Sequence, residues 1–254
     1  MSVERHLRAC FAIALAVAAL ACAAPALPRA EETAAARRLG RVVVAPLNLG
    51  LRAPPELRGS EARVWNELLR YLRAQDRSLS VVDERDAEAL WSDAVALLEQ
   101  AGAPIEPRAA ASRFARLLAE HAEYDVVVLP SLVVRRARVG GSQASWDGTR
   151  RPLPVRSPVP RGPVGDTELH GVTFHGYAGS VAAASLHVAV VGSDGEPLYE
   201  GLAGLDVIQE LTRGAGARGA AEWTLAPRSD AFADASGLRQ GVERAFARRV
   251  ATIR

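Results

Sequence analysis

The stretch YDVVVLPSLVVRRAR, from Tyr124 to Arg138, holds two dense apolar runs on either side of Pro130. Residues 126–129 and 132–134 are all valine or leucine, and they lack the spacing of an amphipathic helix. Such a run of mainly β-branched residues is typical of a strand that is covered on both faces. We therefore predict that this stretch forms the central strand of the main sheet.

The chain before this strand alternates between strand and helix patterns. RVVVAPL at 41–47 predicts a first strand, and a helix pattern follows over about 60–75. A short strand is predicted over 78–82, followed by helices that open at Asp83 and Pro107. Strands separated by helices of this length favour parallel pairing.

The chain after this strand consists mainly of further strand patterns. Asp147-Gly148 is a strong two-residue hairpin signal. The segment 181–191 is predicted to pair back with 197–211 across a turn. Residues 152–163 predict a proline-rich loop, and the glycine-rich segment 212–228 is predicted to be irregular.

Together these elements predict one domain of mixed α/β class over residues 40–254. We expect a single sheet with parallel and antiparallel strands, helices packed mainly on one face, and a closing C-terminal helix over 234–254. Of the 254 residues, 49% are hydrophobic, which is enough to bury a full core. The net charge of +2 gives no electrostatic reason to expect a nucleic acid partner.

The N-terminus has the organisation of an export signal. Basic residues precede an apolar run and then small residues, so residues 1–21 predict a signal peptide. The sequence Ala19-Leu20-Ala21-Cys22 resembles the lipobox of bacterial lipoproteins, in which the cysteine becomes the lipidated first residue. The alternative is ordinary cleavage, for example after Ala26, with Cys22 removed. Residues 22–39, rich in alanine, proline and charge, predict a tether.

The order of elements resembles a group of bacterial envelope domains. The cues are RVVVAPL, YDVVVLPSLV after further helices, the late hairpin HVAVVGSDGEPLYEG and a closing amphipathic helix. They resemble the amino-terminal domain of the translocation protein TolB, the curli-secretion-channel lipoprotein and the lipoprotein activators of peptidoglycan synthases. The resemblance implies a non-enzymatic role in assembly, secretion or regulation through protein contacts. These families share no catalytic set, so no functional residue is carried over.

An arginine-rich segment follows the central strand and gives the candidate contact surface. On a strand, Arg136 and Arg138 share a face and Arg135 takes the other. The functional interpretation is contact with an acidic partner, an anionic glycan or lipid headgroups; the alternative is a solvated strand end. The candidate partner-contact residues are Arg135, Arg136, Arg138, Trp146, Arg150 and Arg151.

Enzymatic chemistry has only weak candidates in the sequence. A metal site could be drawn from Glu168, His170 and His175, but their spacing matches no established ligand motif. The G-x-S-x-G nucleophile elbow is absent. We therefore assign no catalytic residue, metal or cofactor, and a secreted hydrolase that uses carboxylates or the His170/His175 region stays the alternative.

The sequence thus predicts an envelope lipoprotein of the periplasm that acts as a non-enzymatic assembly or interaction module. Its expected partners are another envelope protein and, through Cys22, a membrane. A homo-oligomer, including a secretion-ring subunit, stays open as an alternative.

Overall fold

The structure is a computed structural model, and it describes residues 40–52, 54–75, 78–156, 179–215 and 221–247. The strands in these ranges are β1 (Arg41–Val44), β2 (Ser78–Val81), β3 (Val126–Gly140), β4 (Gln143–Trp146), β5 (Thr149–Pro152), β6 (Val155–Arg156), β7 (Gly179–Gly192), β8 (Pro197–Val207), β9 (Gln209–Ala215) and β10 (Ala221–Pro227). The helices are α1 (Glu61–Arg73), α2 (Glu84–Gln100), α3 (Pro107–Ala119) and α4 (Ala235–Ala247).

The main sheet has seven strands in the described residues, and β3 is its central element. One edge of β3 pairs in parallel with β1, which in turn pairs in parallel with β2. The other edge pairs antiparallel with β7 along almost its whole length, and β7 pairs with β8. Farther along, the first edge of β3 pairs antiparallel with β4, which continues to β5. The predicted central strand, the mixed α/β class and the closing helix are confirmed.

One face of this sheet packs against α2 and α3. Val43 and Val127 belong to a single hydrophobic core with Ala94 of α2 and Phe114 of α3. Phe114 is completely buried, and its ring lies 5.9 Å from that of Trp91. This core fixes the position of the α3 amino terminus over the sheet.

The opposite face packs against α4, with α1 beside it. Gly201 of β8 is paired with Val188 of β7, so the two residues share a face of the sheet. Neighbouring residues of a strand point to opposite faces, so Ala189 of β7 lies on the other face. A Cβ atom on Gly201 would lie 1.9 Å from the Ala245 carbonyl of α4. Tyr71 of α1 stacks on Phe246 of α4 with ring centroids 4.9 Å apart.

Two details of the predicted architecture are therefore wrong. Helices cover both faces rather than mainly one, because β1 and the start of β3 are apolar at consecutive positions and both faces need cover. The sheet is also not single. Part of the segment 212–228, predicted to be irregular, forms β10 and most of β9, which build a separate three-stranded sheet with β6.

Asn48 extends the hydrogen bonding of β3 beyond the end of β1. Its backbone N–H donates to the Pro130 carbonyl at 3.0 Å, and its side-chain oxygen accepts from the Leu132 N–H at 2.6 Å. Asn48 has a positive φ of 63°, a conformation that asparagine adopts more readily than most residues. The even-numbered residues of β3 therefore direct their backbone N–H and C=O groups towards the edge that faces β1.

Tyr124 joins α3 to the start of β3 and gives the fold a predictable response to alkali. Its hydroxyl donates a hydrogen bond to the Ala115 carbonyl. Burial, helped by the charge of Asp194, raises the pKa of Tyr124 to about 12. Because an unfolded tyrosine titrates near pH ~10, this contribution to stability is complete below about pH 10 and is lost as the pH rises towards 12.

Between about pH 10 and pH 12, we expect the ionisation of Tyr124 to lower the free energy of unfolding by on the order of 2 kcal/mol. The measurement is urea denaturation at a series of alkaline pH values, with Tyr124→Phe as the variant that lacks the titrating group. The chain contains no lysine, so the competing titrations are few. If Tyr124→Phe kept the full alkaline slope, Tyr124 would not be its source.

The predicted signal peptide, Cys22, the whole tether and residues 157–163 of the predicted proline-rich loop lie outside the described residues, and they stay predictions. The same holds for the last residues of the predicted closing helix, since α4 is described to Ala247. Among the described helices, none is both long and apolar enough to cross a membrane.

Candidate functional site

A groove of about 820 Å³ lies on the face of the sheet that carries α2 and α3. Its floor is formed by β3, β7 and the start of β8, where the helices no longer cover the strands. Its walls are α2, the amino-terminal turn of α3 and the loop that follows β1. The volume lies within the range of about 300–1,000 Å³ that is usual for binding sites.

The rim of the groove exposes large apolar side chains on three sides. Leu51 in the loop after β1 is 50% exposed, Ile105 between α2 and α3 is 53% exposed, and Leu198 at the start of β8 is 40% exposed. All three line the groove, together with Trp91 of α2. Clustered apolar side chains in water around a concavity are typical of a surface that another molecule covers.

Gly50 allows the loop after β1 to approach α2 closely. The residue has a positive φ of 71°, and a Cβ atom here would lie 2.0 Å from the indole nitrogen of Trp91. Glycine is the residue that tolerates both conditions. The loop therefore rests directly on Trp91, and this contact places Leu51 at the rim.

A charged network of three residues crosses the groove. Arg108, in the first turn of α3, forms a hydrogen-bonded ion pair with Glu200 of β8. The second oxygen of Glu200 lies 2.9 Å from Nε2 of His187 on β7. Partial burial acts to raise the pKa of the Glu200 carboxyl, but hydrogen bonds from Arg108 and His187 outweigh it and hold the pKa below its usual range. The carboxylate is thus ionised, and His187 donates to it.

The same groove holds the elements of a serine hydrolase without its bonding pattern. Ser131 of β3 is the direct cross-strand partner of His187, so the two side chains share a face. Within the described contacts, however, the Ser131 hydroxyl forms no hydrogen bond with the imidazole. The Nε2 atom of His187 is engaged by Glu200, and Glu200 is engaged by Arg108. The network therefore joins β7, β8 and α3.

Some arginines of the predicted contact surface are exposed without an ion-pair partner among the described residues, and others form contacts within the domain. Arg136, Arg138 and Arg150 are exposed, and no carboxylate in the described part of the chain pairs with them. Arg135 is on the other face, as predicted, where it pairs with Asp147 at 3.1 Å.

Two predicted contact residues are built into the fold instead. Trp146 is only 7% exposed, and its Nε1 donates to the Ala184 carbonyl at 3.2 Å. Arg151 pairs with Asp234 at 3.2 Å and donates to the Leu205 carbonyl. The hairpin of β4 and β5 curls over the sheet, which turns both side chains inwards. The prediction that Trp146 is an exposed contact residue is therefore wrong. Arg151 forms its contacts within the domain.

Glu168, His170 and His175 lie outside the described residues, so a metal site formed by them remains a hypothesis from the sequence. Among the residues that are described, no three histidine, cysteine or acidic side chains are grouped as metal ligands would be.

Sequence reasoning missed the groove and its charged network. Arg108, His187 and Glu200 belong to three separate elements, and no local motif connects them. The available signal was the alternation in the strand 181–191, which predicts that His187 shares a face with Ala189 rather than with Val188.

The comparisons with known proteins add no relative. No protein-family model, curated protein or solved structure matches this chain. The resemblance to the envelope lipoprotein domains therefore stays a prediction from the order of the elements.

Proposed function

We propose that the protein is an exported, lipid-anchored interaction module that binds another envelope protein through the groove. The observation that carries the proposal is the position of Leu51, Ile105 and Leu198, which are exposed on three sides of one concavity. A small ligand on the floor would leave these rim side chains in water. A polypeptide whose apolar side chains enter the groove would cover the floor and the rim together.

The charged network supports binding rather than turnover. Arg108, Glu200 and His187 satisfy one another, so the groove wall carries polar groups without an unpaired charge. An apolar partner surface can then pack beside them at little electrostatic cost. A catalytic base would instead need a free site that faces a substrate.

The predicted tether would let the domain reach away from the membrane. Residues 22–39 can extend over roughly 60 Å when fully stretched. With Cys22 lipidated, the domain could contact a partner well outside the membrane surface.

The test is site-specific photo-crosslinking of the full chain in its native envelope. A benzophenone amino acid replaces Leu198 at the groove rim, and the matched control carries it at Val81, another exposed apolar residue, which lies on the edge strand β2. We expect the Leu198 position to give one discrete adduct with a second protein and the Val81 position to give none.

A second substitution makes the test specific for the groove. Ile105→Asp places a charge on the rim, and we expect at least a fivefold loss of the Leu198 adduct with unchanged circular dichroism. Equal adducts from Leu198 and Val81, or an adduct that Ile105→Asp does not affect, would refute binding in the groove. An adduct with a second copy of this chain would favour the ring alternative instead.

A further inference from the structure

The edge of β3 that faces β1 and β4 has an open stretch between those two strands. Val128, Pro130 and Leu132 use their backbone groups on this edge to bind Ala45 and Asn48. Pairing resumes at Arg138, which is opposite Ser145 of β4. By the twofold period of a strand, the N–H and C=O groups of the intervening Val134 and Arg136 point to the same edge. No strand pairs with them in the described part of the chain.

The sheet face beside this opening is basic. Arg138, Ser145 and Arg150 form one cross-strand row over β3, β4 and β5, and paired residues share a face. Arg136 is on the same face, two residues along β3, about 7 Å from Arg138. Val134, which is 36% exposed, is next to it on that face.

Among the described residues, the carboxylates of the β4–β5 turn and of β8 are engaged within the domain. Asp147, in the turn between β4 and β5, is paired with Arg135 and accepts a hydrogen bond from Ser185. Asp206 of β8 pairs with Arg228 at 3.1 Å and accepts from the Phe232 N–H. Within the described ranges, Arg136, Arg138 and Arg150 therefore have no ion-pair partner, and their charges can meet a binding partner.

We propose that the open edge of β3 binds a short extended acidic segment of a partner polypeptide as an added strand. Its backbone would pair with Val134 and Arg136, and its acidic side chains would lie over Arg136, Arg138 and Arg150. Strand addition uses this combination of an open edge for affinity and alternate side chains for specificity. The proposal depends on the proposed function only for the class of partner, a polypeptide.

One argument favours a polypeptide over anionic lipid. Lipid headgroups can neutralise arginines, but they offer no backbone to pair with an open strand edge.

The test uses the full chain in detergent micelles and a fluorescein-labelled nonapeptide in which glutamate alternates with valine. Two matched peptides serve as controls: one with lysine in place of glutamate, and one with alternate backbone nitrogens methylated. We expect fluorescence anisotropy to show binding of the acidic peptide, at least tenfold weaker binding of the methylated peptide and none of the lysine peptide.

The protein variants separate charge from backbone. Arg136→Gln and Arg138→Gln should each weaken binding about two- to fivefold, as is usual for exposed ion pairs, and more at low salt. Arg85→Gln, an exposed arginine on α2, is the control and should change nothing. Val134→Pro should abolish binding, and β3 already carries Pro130 at an equivalent edge-facing position. If Val134→Pro does not fold, the methylated peptide makes the same test.

The proposal would be overturned if the methylated peptide bound as well as its parent, if no acidic peptide bound, or if both glutamine variants bound normally. Stronger flotation of the full chain with phosphatidylglycerol vesicles than with phosphatidylcholine vesicles, with the difference lost in Arg136→Gln and Arg138→Gln and no peptide binding, would assign the face to a membrane instead. Ile105→Asp should leave peptide binding intact, so failure at the groove and failure at the edge can be told apart.

Discussion

Replacing Phe114 with alanine is expected to lower the free energy of unfolding by about 3–5 kcal/mol, the usual cost of removing a fully buried ring. Phe114 has no exposed surface, and it packs where α2, α3 and the sheet meet. Its ring also contacts that of Trp91. Deletion leaves a cavity that the surrounding strands, held by hydrogen bonds, can fill only in part.

The measurement is urea denaturation followed by circular dichroism. Leu198→Ala is the control, because its side chain is 40% exposed and its removal should change stability by no more than about 0.5 kcal/mol. If Phe114→Ala does not fold, Phe114→Leu should still cost about 1 kcal/mol. A cost for Phe114→Ala no larger than for Leu198→Ala would show that this core does not hold the helices on the sheet.

Replacing Gly201 with alanine should cost about 3 kcal/mol, the upper range for overpacking a core. The added Cβ atom would lie 1.9 Å from the Ala245 carbonyl oxygen, a backbone atom that cannot rotate away. The same carbonyl accepts a hydrogen bond from Tyr199 at 2.6 Å. To make room, α4 must move away from β8, and this bond is lost with it.

Gly140→Ala provides the matched glycine control. Gly140 is also a strand residue, but a Cβ atom there would have no heavy atom within 4 Å. We expect its stability in urea to remain within about 0.5 kcal/mol of the parent chain. If the two alanine variants were equally stable, the close approach of α4 to β8 would be incorrect.

The main elements could be predicted because their signals are local. The valine-rich run of β3 and the Asp147-Gly148 turn each depend on a few consecutive residues, and both are confirmed. Asp83 accepts a hydrogen bond from the Arg85 N–H, as expected of a residue that caps α2.

The inward turn of Trp146 could not be predicted, because it depends on residues far away in the chain. A Cβ atom at position 204 would lie 2.6 Å from the Trp146 indole nitrogen, so only Gly204 leaves space for the ring. The sequence around Trp146 contains no trace of this requirement.

The strands β9 and β10 were missed for a related reason. A glycine-rich segment has low strand propensity, and pairing between two such segments overrides it. The pairing of Leu211 with Leu225 shows two apolar residues supporting each other across the ladder. Neither residue indicates its partner in the sequence.

The antiparallel ladder between β3 and β7 has a consequence for how the chain reaches its folded state. Val139 is paired with Gly179, and Val126 with Gly192, so every rung joins residues far apart in sequence. The entropy of closing such loops is lost before the ladder can compensate for it, and folding that depends on distant contacts is slow. The edge of β3 that pairs with β7 therefore stays unpaired, and open to self-association, until the second half of the chain is available to meet it.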